Sequence, residues 1–158
     1  MMLISLYPLL QHLNLLNTRT GLVVAYIILA LPSGTYMLYS YFVNIPTEII
    51  EAARADGASE IFILHRIVLP LAMPALVTVG LYSFMWAWND LLFSLTLVTA
   101  PELRTVGPGL LLNYMGEGKS DWGGAMAASI LSSLPVVIGF AFLQRFFIQG
   151  LTAGAVKS

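Results

Sequence analysis

Apolar side chains run along this chain in three long blocks, and a polar segment of different character lies between the first two. Gly21 to Val43 carries no charge, Pro70 to Ala100 carries only Asp90, and Ala125 to Ile148 is apolar as far as Gln144 and Arg145. Each block exceeds the roughly 20 apolar residues with which an α-helix crosses a bilayer. The second, 31 residues long, can tilt or extend past the lipid. Three strands could not close a barrel in lipid, so all three blocks are expected to be helices. Pro70 and Pro74 fall in the opening turns of the second span, where a missing amide hydrogen matters least; Pro32 and Pro135 sit inside spans and should kink them. The opening MMLISLYPLLQHLNLLNTRT has no basic start and no small-residue cleavage site. It reads as the tail end of a further hydrophobic helix, not as a leader.

Residues 44–69 hold seven of the chain's 17 Asp, Glu, Lys, Arg and His residues. Pro46 suits the first position of a helix, Glu48 and Glu51 lie near its positive end, and Gly57 is a natural stop, which predicts a short helix over 46–56. A second short helix is expected from Ser59 to Leu69. Its Ile61, Leu64, His65 and Val68 share one face, suited to lying along a membrane or protein surface. Ala52, Ala53, Ala55 and Ala58 permit close approach of a partner, Ile49 and Ile50 offer apolar knobs, and Arg54 and Asp56 are placed to pair. The alanines also raise helix propensity, so composition alone equally allows a plain connector.

Composition narrows the class. With 58% hydrophobic and 9% charged residues and a mean hydropathy of +0.84, the chain is a membrane protein. A net charge of −1 with scattered basic residues provides no footprint for nucleic acid. The absence of cysteine excludes disulfides, thiol catalysis and thiolate metal sites. Charge counting leaves orientation open: Arg54, Arg66, Arg145 and Lys157 lie on one side, against Arg19, Arg104 and Lys119 on the other.

The polar segment carries the most specific signal. Glu51-Ala52-Ala53, then Gly57 after three residues, then nine residues, then Ile67-Val68-Leu69-Pro70 fills a complete spacing. It resembles the EAA loop of permease subunits of binding-protein-dependent ABC importers. LYPLLQHLNLLNT, IPTEIIEAARADGAS, FMWAWND and LQRFFIQGLTAGAVKS resemble, more narrowly, the carbohydrate branch that includes maltose-type permeases. The resemblance covers almost the whole chain. It implies an all-α membrane protein resembling the C-terminal half of a six-helix permease: three full spans (about 21–43, 70–100 and 125–148), a remnant of a fourth, and a coupling loop at 44–69. Residues 1–158 are thus expected to form a single, truncated permease domain. The resemblance places loop and tail in the cytoplasm and residues 14–20 and 101–124 outside, in a bacterial or archaeal cytoplasmic (inner) membrane. Glu51, Ala52, Ala53, Asp56, Gly57, Ile67, Leu69 and Pro70 would dock an ABC ATPase subunit, itself dimeric. The other implied partners are a second permease subunit and an extracytoplasmic solute-binding protein. Catalysis, cofactors and metals are not expected on this chain, since ATP hydrolysis belongs to the ATPase. The competing readings are an ion-coupled secondary transporter, with Asp90, Pro32 and Pro135 as its support, and a non-functional fragment of a permease.

A second constellation lies in LYSFMWAWNDLLF. At helical spacing Tyr82, Trp86, Asn89 and Phe93 share one face, with Asp90 at its edge and Trp88 nearly opposite. Rings beside an amide and a carboxylate suit a sugar, and they equally suit packing between helices. The resembled family often has Asn-Glu where Asn89-Asp90 stands, so the charge here sits on a shorter arm. GEGKS, by contrast, is a turn: a phosphate loop needs glycine where Asn113 stands, and a strand before it. His12 and His65 have no partners at metal spacing. In the tail, Gly150 is expected to end the third helix, with Arg145 snorkelling to the headgroups.

Overall fold

A computed structural model describes residues 2–116, 118 and 120–155, with side chains as far as Leu143. Among the described residues the secondary structure is helical: α1 (Met2–His12), α2 (Arg19–Phe42), α3 (Thr47–Ala55), α4 (Glu60–Ile63), a π-helical turn (Leu64–Val68), α5 (Leu69–Trp88), α6 (Leu92–Leu97), a 3-10 turn (Pro101–Leu103), α7 (Val106–Tyr114) and α8 (Trp122–Ala155). Three helical stretches among the described residues are long and apolar enough to cross a membrane: Arg19–Phe42, Glu60–Trp88 and Trp122–Leu143. The expected number of spans is therefore present.

The second span differs from expectation at both ends. It begins at Glu60, because α4, the π turn and α5 form one continuous helix. The separate surface helix expected over Ser59–Leu69 is thus the first part of the span. Pro70 and Pro74 accordingly lie inside a long helix. A proline removes an amide and pushes its ring at the preceding turn; the π turn just before Pro70, with the Leu69 amide reaching back to the Leu64 carbonyl, widens the ladder where that ring must fit. At the other end the helix stops at Trp88 and not near Ala100. Asp90 causes the break, because its carboxylate accepts the amides of Phe93 (3.3 Å) and Ser94 (2.9 Å) and so starts a new helix, α6.

α2 and α8 run unbroken through Pro32 and Pro135. α8 also passes Gly150 and is helical as far as Ala155, the last described residue; an interior glycine costs only about 1 kcal/mol against alanine, too little to stop a helix without a left-handed cap. The expectations for the Arg145 side chain and for Lys157 lie outside the described residues, as do Glu117 and Lys119 of the GEGKS turn.

The chain divides into two compact units, with boundaries inside helices. One comprises residues up to Pro32 together with Ser83–Gly139. Its core joins Leu6 and Leu10 of α1, Leu22 and Ala25 of α2, and Leu97 and Val98 at the end of α6. Asn17, in the left-handed region at φ 56°, fastens this core: its amide donates to the Leu97 carbonyl, and its Oδ1 accepts the amides of Thr99 and Ala100. Thr18 caps α2, its Oγ1 accepting the Gly21 amide at 3.0 Å. Gly21 is required there, since a Cβ would collide with the Leu15 carbonyl. The other unit comprises Ser33–Tyr82 together with residues from Phe140 onward. In it Gly34 lets α2 approach Val79 of α5, and the Tyr41 hydroxyl donates to the Leu71 carbonyl at 2.8 Å.

Candidate functional site

The EAA-like segment folds into an elbow. α3 starts after Pro46 and carries Glu48 in its first turn and Arg54 in its last, both favourable to the helix dipole. It ends in a Schellman motif: the Gly57 amide donates to the Arg54 carbonyl and the Ala58 amide to the Ala53 carbonyl, each at 3.0 Å. Gly57 takes φ +80°, a conformation that a side chain disfavours, and nothing lies within 4 Å of where its Cβ would be. The chain reverses and restarts at Ser59, whose Oγ accepts the Phe62 amide at 3.3 Å. Both ends of the turn thus match expectation, with α3 one residue shorter at each end.

α3 buries none of its residues. Glu51, Ala52, Asp56 and Gly57 are exposed, Ala53 is half-buried, and Ile49 remains 41% exposed on the same short helix. The far end of the motif sits on the long helix: Ile67 and Leu69 are half-buried, and Pro70 is exposed. A recess of about 560 Å³ opens in the crook of the elbow, lined by Ala53, Asp56, Gly57, Ala58, Ser59, Phe62 and Ile67. It brings Ala53, Asp56, Gly57 and Ile67 of the motif together; Glu51, Ala52, Leu69 and Pro70 are not among its walls.

The ion pair of this elbow is not the one expected. Arg54 engages Glu60 in place of Asp56, through Nε to Oε1 at 2.7 Å and Nη2 to Oε2 at 3.1 Å, a two-pronged fork across the turn. Asp56 directly follows α3 as its cap residue, whereas Glu60 opens the next helix facing back at the guanidinium. These hydrogen bonds to Glu60 raise the Arg54 pKa above its ordinary value. An Arg and a Glu flanking a Gly-Ala-Ser turn were the available signal for this pair.

The aromatic stripe is divided by the break at Asp90. Trp86 meets Tyr26 edge-on, with ring centroids 5.9 Å apart, and Phe93 at 5.8 Å. Trp88, on the other side of α5, packs on Phe84 at 5.3 Å. Tyr82 and Trp86 keep exposures of 47% and 38%. Asn89 is exposed but turns its amide back to the Met85 carbonyl at 2.8 Å. Asp90 takes the Tyr26 hydroxyl at 2.9 Å in addition to its two backbone amides. Both of its oxygens are therefore bonded to protein donors. Fully buried Ser94 extends the cluster, its Oγ accepting the Thr105 amide at 3.1 Å. Tyr26, Asn17 and Ser94 had no distinguishing mark in the sequence, because their roles depend on partners far along the chain.

Comparison with known proteins gives a consistent picture. The family model described as "Binding-protein-dependent transport system inner membrane component" matches residues 1–153. The chain is 40% identical to a trehalose/maltose transport system permease protein of Thermococcus litoralis, over 96% of this chain and 55% of the relative. It is also 40% identical to an inner membrane ABC transporter permease protein of Escherichia coli, over 99% and 56% respectively. An alpha-glucoside transport system permease protein of Rhizobium meliloti is 37% identical over 97% of this chain and 42% of the relative. Among solved structures, a bacterial ABC transporter involved in the import of the acidic polysaccharide alginate aligns with a TM-score of 0.69 at 26% identity, covering 91% of this chain and 55% of that one. The chain thus spans about half the length of these relatives.

Proposed function

The chain belongs to the family of inner membrane components of binding-protein-dependent transport systems, and from that premise we propose that it serves as a permease subunit of an ATP-driven carbohydrate importer. The observation that carries this reading is the elbow: a complete EAA spacing folded as an exposed short helix, stopped at Gly57, and continuous beyond Ser59 with a membrane-spanning helix. A helix with no fully buried residue is weakly held by its own chain and offers its surface to a partner. In this reading Glu51, Ala52, Ala53, Asp56 and Gly57 meet an ABC ATPase subunit, while Ile67, Leu69 and Pro70 seat the elbow on its span. ATP is hydrolysed on that separate subunit. The helices respond as rigid bodies and alternate access to a path shared with a second permease subunit, to which an extracytoplasmic binding protein delivers the solute.

The carbohydrate assignment follows the relatives, two of whose names specify trehalose, maltose or alpha-glucosides. Tyr82 and Trp86 are each proposed as a solute contact through their exposed rings; Asn89 and Asp90 belong to the same stretch but act first on the backbone around them. Substituting Glu51→Lys or Gly57→Val in the assembled importer should abolish co-purification of the ATPase and reduce transport about a hundredfold, within the range of coupling between sites. Wild-type assembly, ATPase stimulation and transport in both variants would refute the docking assignment.

A further inference from the structure

Among the described residues, the elbow between α3 and the long helix has few means of holding its angle. No residue of α3 is fully buried, and Ile50 and Ala53 are only half-buried, so among the described residues no hydrophobic core fixes its direction. The chain reverses at Gly57, φ +80°, and reaches the next helix through Ala58 and Ser59. Two kinds of bond among the described residues cross the bend. The Schellman amides of Gly57 and Ala58 bind carbonyls of α3, at Arg54 and Ala53; they end α3 but leave open where the next helix points. The Arg54–Glu60 fork, at 2.7 and 3.1 Å, joins the last turn of α3 to the first residue of the next helix.

With side chains 54% and 70% exposed, that pair adds little to stability. Its value is geometric. A guanidinium and a carboxylate held by two parallel bonds share a plane and resist rotation in a way that a single contact does not. Each charge also sits at the favourable helix end, Arg54 at the C-terminus of α3 and Glu60 at the N-terminus of α4.

We infer that Arg54 and Glu60 are a positioning pair that stiffens the elbow, so that a push on α3 turns the helix Glu60–Trp88 and is not absorbed by rotation at Ala58 and Ser59, beyond the Schellman bonds. The inference rests on the docking role proposed above, and the pair acts through α3 without itself needing to touch the ATPase. Removing one prong-bearing group should leave docking and ATP hydrolysis in place and loosen their linkage to transport.

Arg54→Gln and Glu60→Gln are to be tested in the assembled importer with its ATPase and binding protein. The ATPase should still co-purify and hydrolyse ATP, while solute moved per ATP falls about fivefold, at the low end of coupling between sites. Arg54→Glu combined with Glu60→Arg should recover most of that loss, and Arg54→Lys, which keeps the charge but not the fork, should not. Unchanged solute per ATP in both single variants, or no recovery in the swapped pair, overturns the inference. A second measurement needs no ATPase. The chain lacks cysteine, so spin labels at Glu48→Cys and Met73→Cys in lipid nanodiscs report the α3-to-α5 distance alone. That distribution should be narrow with the pair intact and broad in Arg54→Gln; equal widths also overturn it. Failure of the unaltered chain to retain any ATPase would defeat the docking reading instead, and the label distances would still decide the brace.

Discussion

Asp90 spends both carboxylate oxygens on protein donors, and those bonds shape the fold around it. It accepts the Tyr26 hydroxyl and the amides of Phe93 and Ser94, thereby ending one helix, starting another and tying both to α2. Asp90→Ala removes a helix-starting acceptor and leaves a tyrosine hydroxyl without its partner, at a cost of about 2 to 4 kcal/mol. Tyr26→Phe removes one bond and should cost about 1 kcal/mol. Because they share that bond, the double substitution should cost less than the sum of the two. Unfolding in detergent measures all three; strict additivity, or a Tyr26→Phe loss as large as that of Asp90→Ala, would contradict this role. An acid inside an apolar block looked from sequence like part of a stripe on one continuous helix. The missing fact was Tyr26, which stands 64 positions earlier and can be identified as the partner only in three dimensions.

At the scale of elements, the helix Glu60–Trp88 shows what local pattern does and does not convey. Its start at Ser59 was legible, since a serine followed by an acid and an apolar run is a helix-opening signal. Its continuity was not. Pro70 read as the beginning of the span because proline is tolerated in a first turn, yet the chain accommodates it in the interior with the π turn Leu64–Val68. Pro70→Ala restores the missing amide and removes the ring. The π turn should then tighten to α-helix, amide exchange across 64–69 should slow, and stability should change by no more than about 1 kcal/mol. Faster exchange there would show that the proline is not the reason for the wide turn. Gly150 teaches the complementary lesson: a glycine marks a helix end only where the backbone turns left-handed, as at Gly57 and not at Gly150.

At the scale of the whole molecule, large apolar side chains such as Ile27, Tyr36, Ile130, Leu131 and Phe142 stand more than half exposed on the three spanning helices, as lipid or neighbouring helices require. One span separates Ser59 from Ser120, so the two positions should face opposite sides of the membrane. In this cysteine-free background, Ser120→Cys should react with an impermeant thiol reagent in intact cells, and Ser59→Cys only after permeabilisation. The reverse pattern would turn the elbow outward and remove it from reach of any cytoplasmic ATPase. Hydrophobic block lengths, the EAA spacing and the Gly57 reversal were determined by the order of residues alone, because bilayer thickness and backbone sterics act on contiguous stretches of chain. Where the second span stops, what Asp90 and Asn17 hold, and that Arg54 chooses Glu60 over Asp56 were decided only by the folded chain. A hydrogen-bonding group commits to whichever partner geometry brings within about 3 Å, and sequence distance says little about that.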